Sequence, residues 1–346
     1  MNHAANREQS ITLAALTAGL NRPSSRFRLR QYISRLAELG VIVKELMPFS
    51  EKTYYFPGPF KAVTRVPALF RSRDADLVWL SREFAAGYET FERLLKRPRI
   101  LDVDDAVWIH RPFGWFAIPD IARAMDAVIA GNAYLAEYFG KYCKNVYVVP
   151  TAIDLDRYML RPEPKNEQRD KFVIGWTGSS SNFKYLDAIE QVLARFIREH
   201  DRAELILTAD RPWEYSLLPA EKVRFIPWSV EEEVGVLHSM SVGIMPLADD
   251  KWSRGKCAFK MLQYMGVGLP VIVSPVGMNR EVLDKGNVGL AASSPDEWYD
   301  ALVSLYKDRS LQVKSGLAGR KVVEQFYNAD IIARELADIF KTLYVS

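Results

Sequence analysis

The 346-residue chain is 49% hydrophobic and 26% charged, a balance that excludes disordered, collagen-like and disulfide-scaffold classes and leaves length for two domains. Two cysteines, Cys143 and Cys257, are too few for a disulfide framework or a four-cysteine zinc site. The net charge of +3 is unevenly placed: residues 1–165 hold 24 Lys/Arg against 18 Asp/Glu, and residues 166–346 hold 22 against 25, so the first half is expected to face something anionic.

The N-terminus lacks a basic start followed by a long apolar run, and no uncharged apolar stretch of about 18 residues occurs. Neither a signal peptide nor a membrane span is predicted, and a cytoplasmic setting is expected. Apolar runs then predict strands at 11–16, 41–46, 76–81, 99–104, 127–131 and 146–150. Helical periodicity lies between them at 27–40, where Phe27, Tyr32, Leu36 and Leu39 share a face and Gly40 stops the helix, and at 89–97. Residues 150–171, with three prolines and no apolar period, read as a linker.

A second series follows: strands at 171–178, 203–209, 222–228, 242–247 and 270–274, with helices at 182–199, 230–240 and 256–266. Past Pro295 the pattern is helical to the end. Alternating strands and helices predict an α/β protein of two doubly wound, Rossmann-like parallel-sheet domains. The expected domains are 1–165 and 166–327, with a final helix at 328–346 packing back on the first.

Ligands of such sheets sit beyond the carboxyl ends of the strands, where helix N-termini favour phosphate. Three turns in the second half have that chemistry. Gly175–Lys184 offers small residues, hydroxyls and a lysine, without the spacing of a dinucleotide or Walker A motif. Asp249–Pro270 places Lys256 and Lys260 one turn apart at the predicted start of the 256–266 helix, where mutual repulsion invites an anion between them. Ser274–Glu281 is expected beside it. In the first half, Asn21, Arg22, Arg26 and Arg28 form a basic turn suited to phosphate. Asp102, Asp104 and Asp105 end a strand and admit three roles: metal ligand, helix cap or partner of sugar hydroxyls. Of four histidines only His110, close behind these aspartates, is a candidate contact, and no hydrolase triad or nucleophile elbow is present.

Over nearly its whole length the chain resembles glycosyltransferase family 4, the group 1 enzymes of GT-B fold, in a bacterial branch. The likeness is most specific at 242–281, VGIMPLADDKWSRGKCAFKMLQYMGVGLPVIVSPVGMNREVL, and extends to SSRFRLRQYISRL, DVDDAVW, AVIAGNAYLAEYF, VPTAID and VIGWTGSSSNFKYL. It implies two domains facing each other across a cleft and a retaining transfer of sugar from a nucleotide diphosphate sugar, in cell-surface polysaccharide biosynthesis. Carried over by position, Lys184 and Lys256 contact the diphosphate, Gly178, Ser179, Lys260 and Gln263 line the donor site, and the backbone of Gly255, Lys256, Cys257, Ala258 and Phe259 meets the donor sugar or phosphate. Trp228 lies near the base. Three positions depart from the family pattern. Gly255 and Gln263 stand where two glutamates are common, Ser179 where an arginine is usual, and Asp104 where a histidine ends the fourth strand. Lys256 and Lys260 are read as compensating for the arginine.

The mechanism expected from this reading gives Lys184, Lys256 and Lys260 the leaving diphosphate and Asp104 or Asp105 the orientation of acceptor or donor sugar. No metal site is assigned; Mg²⁺ is allowed but not essential, and no cofactor is required. The acceptor is expected to be a glycan or lipid-linked glycan, with peripheral contact at the inner membrane face and no nucleic acid. Two rivals are an epimerase or hydrolase of nucleotide sugars on the same scaffold and a binding module without catalysis, whose nucleic-acid form has no motif or strongly basic isoelectric point behind it.

Overall fold

Uncharged aliphatic runs flanked by turn residues become strands buried on both faces, because helices cover each side of a parallel sheet. The computed structural model describes residues 10–20, 22–48, 60–162 and 171–345. It divides into two units: up to Ala152 with Gly255–Cys257 and Ala329–Ser346, and Ile153–Arg254 with Ala258–Asn328.

In the first unit β1 (Ile11–Leu16), β2 (Val41–Leu46), β3 (Leu77–Ser81), β4 (Arg99–Val103), β5 (Ala127–Ala130) and β6 (Val146–Val148) form one parallel sheet in the order β2-β1-β3-β4-β5-β6. Its core gathers Leu13, Leu36, Leu77, Trp79, Ile100 and Ile129 with Ile332, Leu336 and Phe340 from the terminal helix Ala329–Val345. The Trp79 and Phe340 rings lie 5.1 Å apart.

In the second unit β7 (Phe172–Thr177), β8 (Ala203–Ala209), β9 (Val223–Pro227), β10 (Val242–Met245), β11 (Val271–Val273) and β12 (Gly289–Ala291) run in the order β12-β11-β10-β7-β8-β9, again parallel. The chain reverses its direction of winding between β7 and β10, which makes their carboxyl ends the switch point where ligands of such sheets gather.

Four expectations shift. The predicted 89–97 helix is a single 3₁₀ turn, Glu92–Leu94, because the buried Glu92 carboxylate accepts from the Phe84 and Thr90 amides and holds the chain in a loop. The 182–199 helix is two pieces, Phe183–Asp187 and Glu190–Glu199, after a 3₁₀ turn at Ser180–Asn182. The predicted linker is laid onto the second unit over 153–162: Ile153 and Tyr158 are buried, Ile153 N donates to Tyr327 O at 2.8 Å, and Arg161 N donates to Val267 O at 3.0 Å. The division between units therefore falls after Ala152. Finally, the helix expected over 256–266 begins only at Phe259 and ends at Gly266, preceded by a short helix Lys251–Arg254.

Candidate active site

That last shift changes the lysines. Gly255 lies so close to Ala106 that a Cβ would sit 2.8 Å from the Ala106 nitrogen. Asn132 Nδ2 donates to Lys256 O at 3.1 Å, and the Cys257 thiol donates to Asp104 O at 3.2 Å. These contacts hold 255–257 in a non-helical strap on the first unit, and tertiary contact overrides helix propensity. Ala258 then takes a left-handed backbone, φ 50°, before the helix starts. Lys256 and Lys260 thus do not share a helical face, and the stacked-lysine geometry is replaced by one lysine in each unit.

In the first unit the structure brings Asp104, Asp105, Gly255, Lys256 and Cys257 together. Arg82, just past β3, stands with φ 62°, a conformation costing about 1 kcal/mol for a residue with a Cβ. Its guanidinium donates to Asp104 Oδ1 at 2.7 Å and also pairs with Asp105. Burial pushes the Asp105 carboxyl above the usual carboxylate range, with Arg82 and then Lys256 opposing. Burial likewise pushes the Cys257 thiol up, so it acts as a hydrogen-bond donor rather than a nucleophile. Asn132 caps the Ala133–Phe139 helix by accepting from Leu135 N at 2.9 Å, which fixes the amide that grips Lys256.

The basic turn of the first half is only partly available. Asn21 lies outside the described residues. Arg22 and Arg26 are half-buried on the Pro23–Arg28 helix and its N-cap. Arg28, expected to face an anion, is buried: Nε donates to Asp102 Oδ1 at 2.9 Å, Nη2 to Asp102 Oδ2 at 3.1 Å and Nη1 to Val149 O at 2.7 Å. A guanidinium removed from water must have its charge matched, and Asp102 matches it. Among the described residues no group of three or more His, Cys, Asp or Glu is arranged to hold a metal ion.

In the second unit Gly178 and Ser179 follow β7 at the switch point. Ser179 Oγ lies 2.8 Å from Ser181 Oγ, while Asp210, at the end of β8, accepts from Ser180 N at 2.6 Å and Ser180 Oγ at 2.7 Å. A carboxylate thus occupies part of the phosphate-like turn. Lys184 is exposed, with Nζ 4.9 Å from the Tyr185 ring centroid. The turn after β11 packs beside the one after β10, as its strand neighbourhood requires: Gly277, at φ 54°, would place a Cβ 2.8 Å from Arg254 O, an approach only glycine allows.

Trp228, Lys260 and Gln263 converge on one buried network. Gln263 Nε2 donates to Tyr158 Oη at 2.7 Å and to Glu233 Oε1 at 3.2 Å, and Gln263 Oε1 accepts from Lys260 Nζ at 3.2 Å. Trp228 Nε1 donates to Glu233 Oε1 at 3.4 Å, and Arg157 Nη2 to Glu233 Oε2 at 3.2 Å. Burial and the neighbouring Glu233 push the Tyr158 hydroxyl pKa up, keeping it protonated. Sequence reasoning missed Arg82, Asp210, Glu233 and Tyr158. Arg82 and Asp210 follow strands at their carboxyl ends, a signal that was open to use; nothing in the sequence marks Glu233 or Tyr158.

The family described as "Glycosyl transferases group 1" matches residues 171–308, the span that runs from β7 through β12 and contains all three second-unit turns. Over that span the protein carries a group 1 glycosyltransferase domain. This glycosyltransferase is 25% identical over 319 residues to the GDP-mannose-dependent alpha-(1-6)-phosphatidylinositol monomannoside mannosyltransferase of Mycobacterium tuberculosis, covering 84% of this chain and 81% of the relative. Its fold matches sucrose-phosphate synthase from Thermosynechococcus elongatus with TM-score 0.72 at 14% identity, over 97% of this chain and 99% of that one. It also matches Anabaena HepE, solved with UDP and glucose, with TM-score 0.70 at 12% identity, over 96% and 100%. The glycosyltransferase therefore has the two-domain GT-B architecture, and among its described residues no helix is long and apolar enough to cross a membrane.

Proposed function

We propose that the enzyme transfers a sugar from a nucleotide diphosphate sugar to a glycan or lipid-linked acceptor with retention at the anomeric carbon. The observation that carries this is the group 1 match at 171–308, which spans the strand ends on both sides of the β7/β10 switch point. The mannosyltransferase relative uses GDP-mannose and a phosphatidylinositol monomannoside, which supports a diphosphate donor and a lipid-linked acceptor here. Breaking the bond to diphosphate leaves negative charge on the leaving group, and Lys184, Lys256 and Lys260 are the cations assigned to neutralise it. Asp104 and Asp105, held by Arg82, are assigned to hydroxyls of a bound sugar. Neither metal nor cofactor is assigned to the step.

Contact with an anionic membrane surface belongs to the same proposal. It is supported by the basic excess of residues 1–165 and by the stretch 109–116 that leads into the Gly114–Ala124 helix, where Phe113, Trp115 and Phe116 are strongly exposed beside Arg111 with no acidic residue. Thermal unfolding with GDP, UDP, ADP and TDP tests the donor. A selective nucleotide at a hundredfold excess over its Kd adds about 2.7 kcal/mol, which raises Tm by roughly 5–10 °C. Transfer to lipid-linked acceptor, with the product's anomeric proton read by NMR, tests retention. Silence to every nucleotide, or an inverted product, overturns the corresponding part. Release of free or epimerised sugar with no acceptor dependence would favour the hydrolase or epimerase instead.

A further inference from the structure

Arg28, Arg30 and Arg82 crowd the carboxyl ends of the first sheet, and each is matched by a carboxylate. Arg28 pairs with Asp102, Arg82 with Asp104 and Asp105, and Arg30 Nε donates to Glu45 Oε2 at 2.7 Å. Arg65 is the exception. It leads into the helix Val66–Arg71, is 6% exposed, and has no carboxylate at ion-pair distance among the described residues. Of the five N–H donors that a guanidinium carries, Nη1 supplies one to Thr17 O, while Nε and Nη2 find no acceptor among the described residues.

Its position is one where sheets of this kind hold ligands. The chain leaves β1 outward for β2 and comes back to β3 on the other side of β1, so the carboxyl ends of β1 and β3 are the switch point of the first sheet. Arg65 bridges them: Thr17 directly follows β1, and Phe84, three residues past β3, has its ring centroid 5.7 Å from the Arg65 Cζ. The turn after β1 is also held by Arg30, which donates to Gly19 O at 3.0 Å and to Leu20 O, and by Thr17 Oγ1, which donates to Glu45 Oε1 at 2.5 Å.

Glu92 attracts Arg65 through space, but its oxygens are occupied by the Phe84 and Thr90 amides and the Thr90 hydroxyl. Burial outweighs that attraction and brings the Arg65 pKa down to about 10. Against the same burial, Asp102 raises Arg28, and Asp104 and Asp105 raise Arg82, above the ordinary arginine value. A buried guanidinium without a counter-charge is costly, and an arriving anion removes that cost.

We infer that Arg65 receives a phosphate ester carried by the acceptor. The donor is assigned to the switch point of the second unit, which leaves that of the first for the other substrate. The inference rests on the lipid-linked acceptor reading above and names the group on the acceptor that is recognised. A guanidinium edge offers two parallel N–H groups that match two phosphate oxygens, and Nε with Nη2 is the edge left over. The basic turn expected to grip phosphate is thus completed from outside itself: Arg28 is spent on Asp102, and Arg65 meets the ligand.

The test uses the full-length protein, titration calorimetry and thermal unfolding, with three soluble probes: glycerophosphoinositol, a polyol phosphodiester that stands for a lipid headgroup, inorganic phosphate, and neutral inositol. The phosphodiester is expected to bind about tenfold more tightly than either of the others. Arg65→Gln, which removes the charge, is expected to weaken that binding about tenfold. Without ligand the same variant unfolds within about 3 °C of wild type or above it, because an uncompensated buried charge has gone. Arg65→Lys, charged but without the planar fork, falls between the two in affinity. Equal binding of phosphodiester and inositol, or a loss below about threefold in Arg65→Gln, overturns the assignment. A larger drop in its ligand-free Tm does so too, since the charge would then serve the fold. Inorganic phosphate bound as tightly as the diester makes this a site for the free ion and overturns the acceptor role. The nucleotide titrations stand apart: nucleotide binding without phosphodiester binding sinks the role of Arg65 alone, and the reverse sinks the donor reading alone.

Discussion

At the end of β4 three carboxylates are met by arginines, Asp102 by Arg28 and Asp104 and Asp105 by Arg82. In the second unit the buried carboxylate of Glu233 is met mainly by neutral donors, the Gln263 amide and the Trp228 indole, with Arg157 at one oxygen. The first arrangement balances full charges that remain about one-fifth exposed at Asp104 and Asp105, so solvent and an incoming ligand can re-pair them at modest cost. The second has almost no water to fall back on. Changes in the first region should be read in rate and affinity, and changes in the second in stability.

Glu233→Ala tests the stability side most severely. It removes one acceptor shared by the Trp228, Gln263 and Arg157 donors, opens a hole in a buried network, and is expected to cost about 3 kcal/mol, read as a lower urea midpoint at unchanged slope. A loss below about 1 kcal/mol would mean the network is not closed as described. Arg82→Ala comes next, at about 2 kcal/mol, since it leaves two like charges together and keeps a Cβ in the left-handed backbone. Arg82→Gly is expected to be about 1 kcal/mol milder, because glycine adopts φ 62° without strain; equal losses would show that the strain contributes nothing.

Lys256→Ala sharpens the rate side: kcat falls at least tenfold, about 1.4 kcal/mol of barrier, with the unfolding midpoint almost unmoved. The same variant carries a pH signature. Lys256 favours the ionised Asp105, so its removal pushes that carboxyl further above the ordinary range, and the Asp105 titration seen by carboxyl NMR moves to higher pH. A downward move would contradict the contact. The smallest effect is expected from chelation: EDTA leaves the transfer rate within about twofold, since lysines are assigned to the diphosphate, and a collapse of activity would bring a metal into the step.

The central strands were legible because buried parallel strands leave uninterrupted apolar runs, and LVWLS, AVIA and PVIVS needed only composition and length. The turns were harder. Residues 255–258 have helical periodicity on paper, yet Asn132 and Asp104, more than a hundred residues away in sequence, pull Lys256 and Cys257 out of the helix. Arg28 looks like an exposed cation next to Arg26 until its distance to Asp102 is known. Local pattern locates strand ends, while the pairing of charges across them is a tertiary fact that periodicity does not encode.

The terminal helix has a practical consequence. Because Ile332, Leu336 and Phe340 fill the core under β1, β3 and β4, the first half cannot be excised as one continuous piece. A polypeptide stopped at residue 152 would bare Trp79 and its neighbours to water, and trimming the last seventeen residues would wound the half that lies farthest away in the gene. Minimal versions of this enzyme must therefore graft the tail back, or keep the whole length.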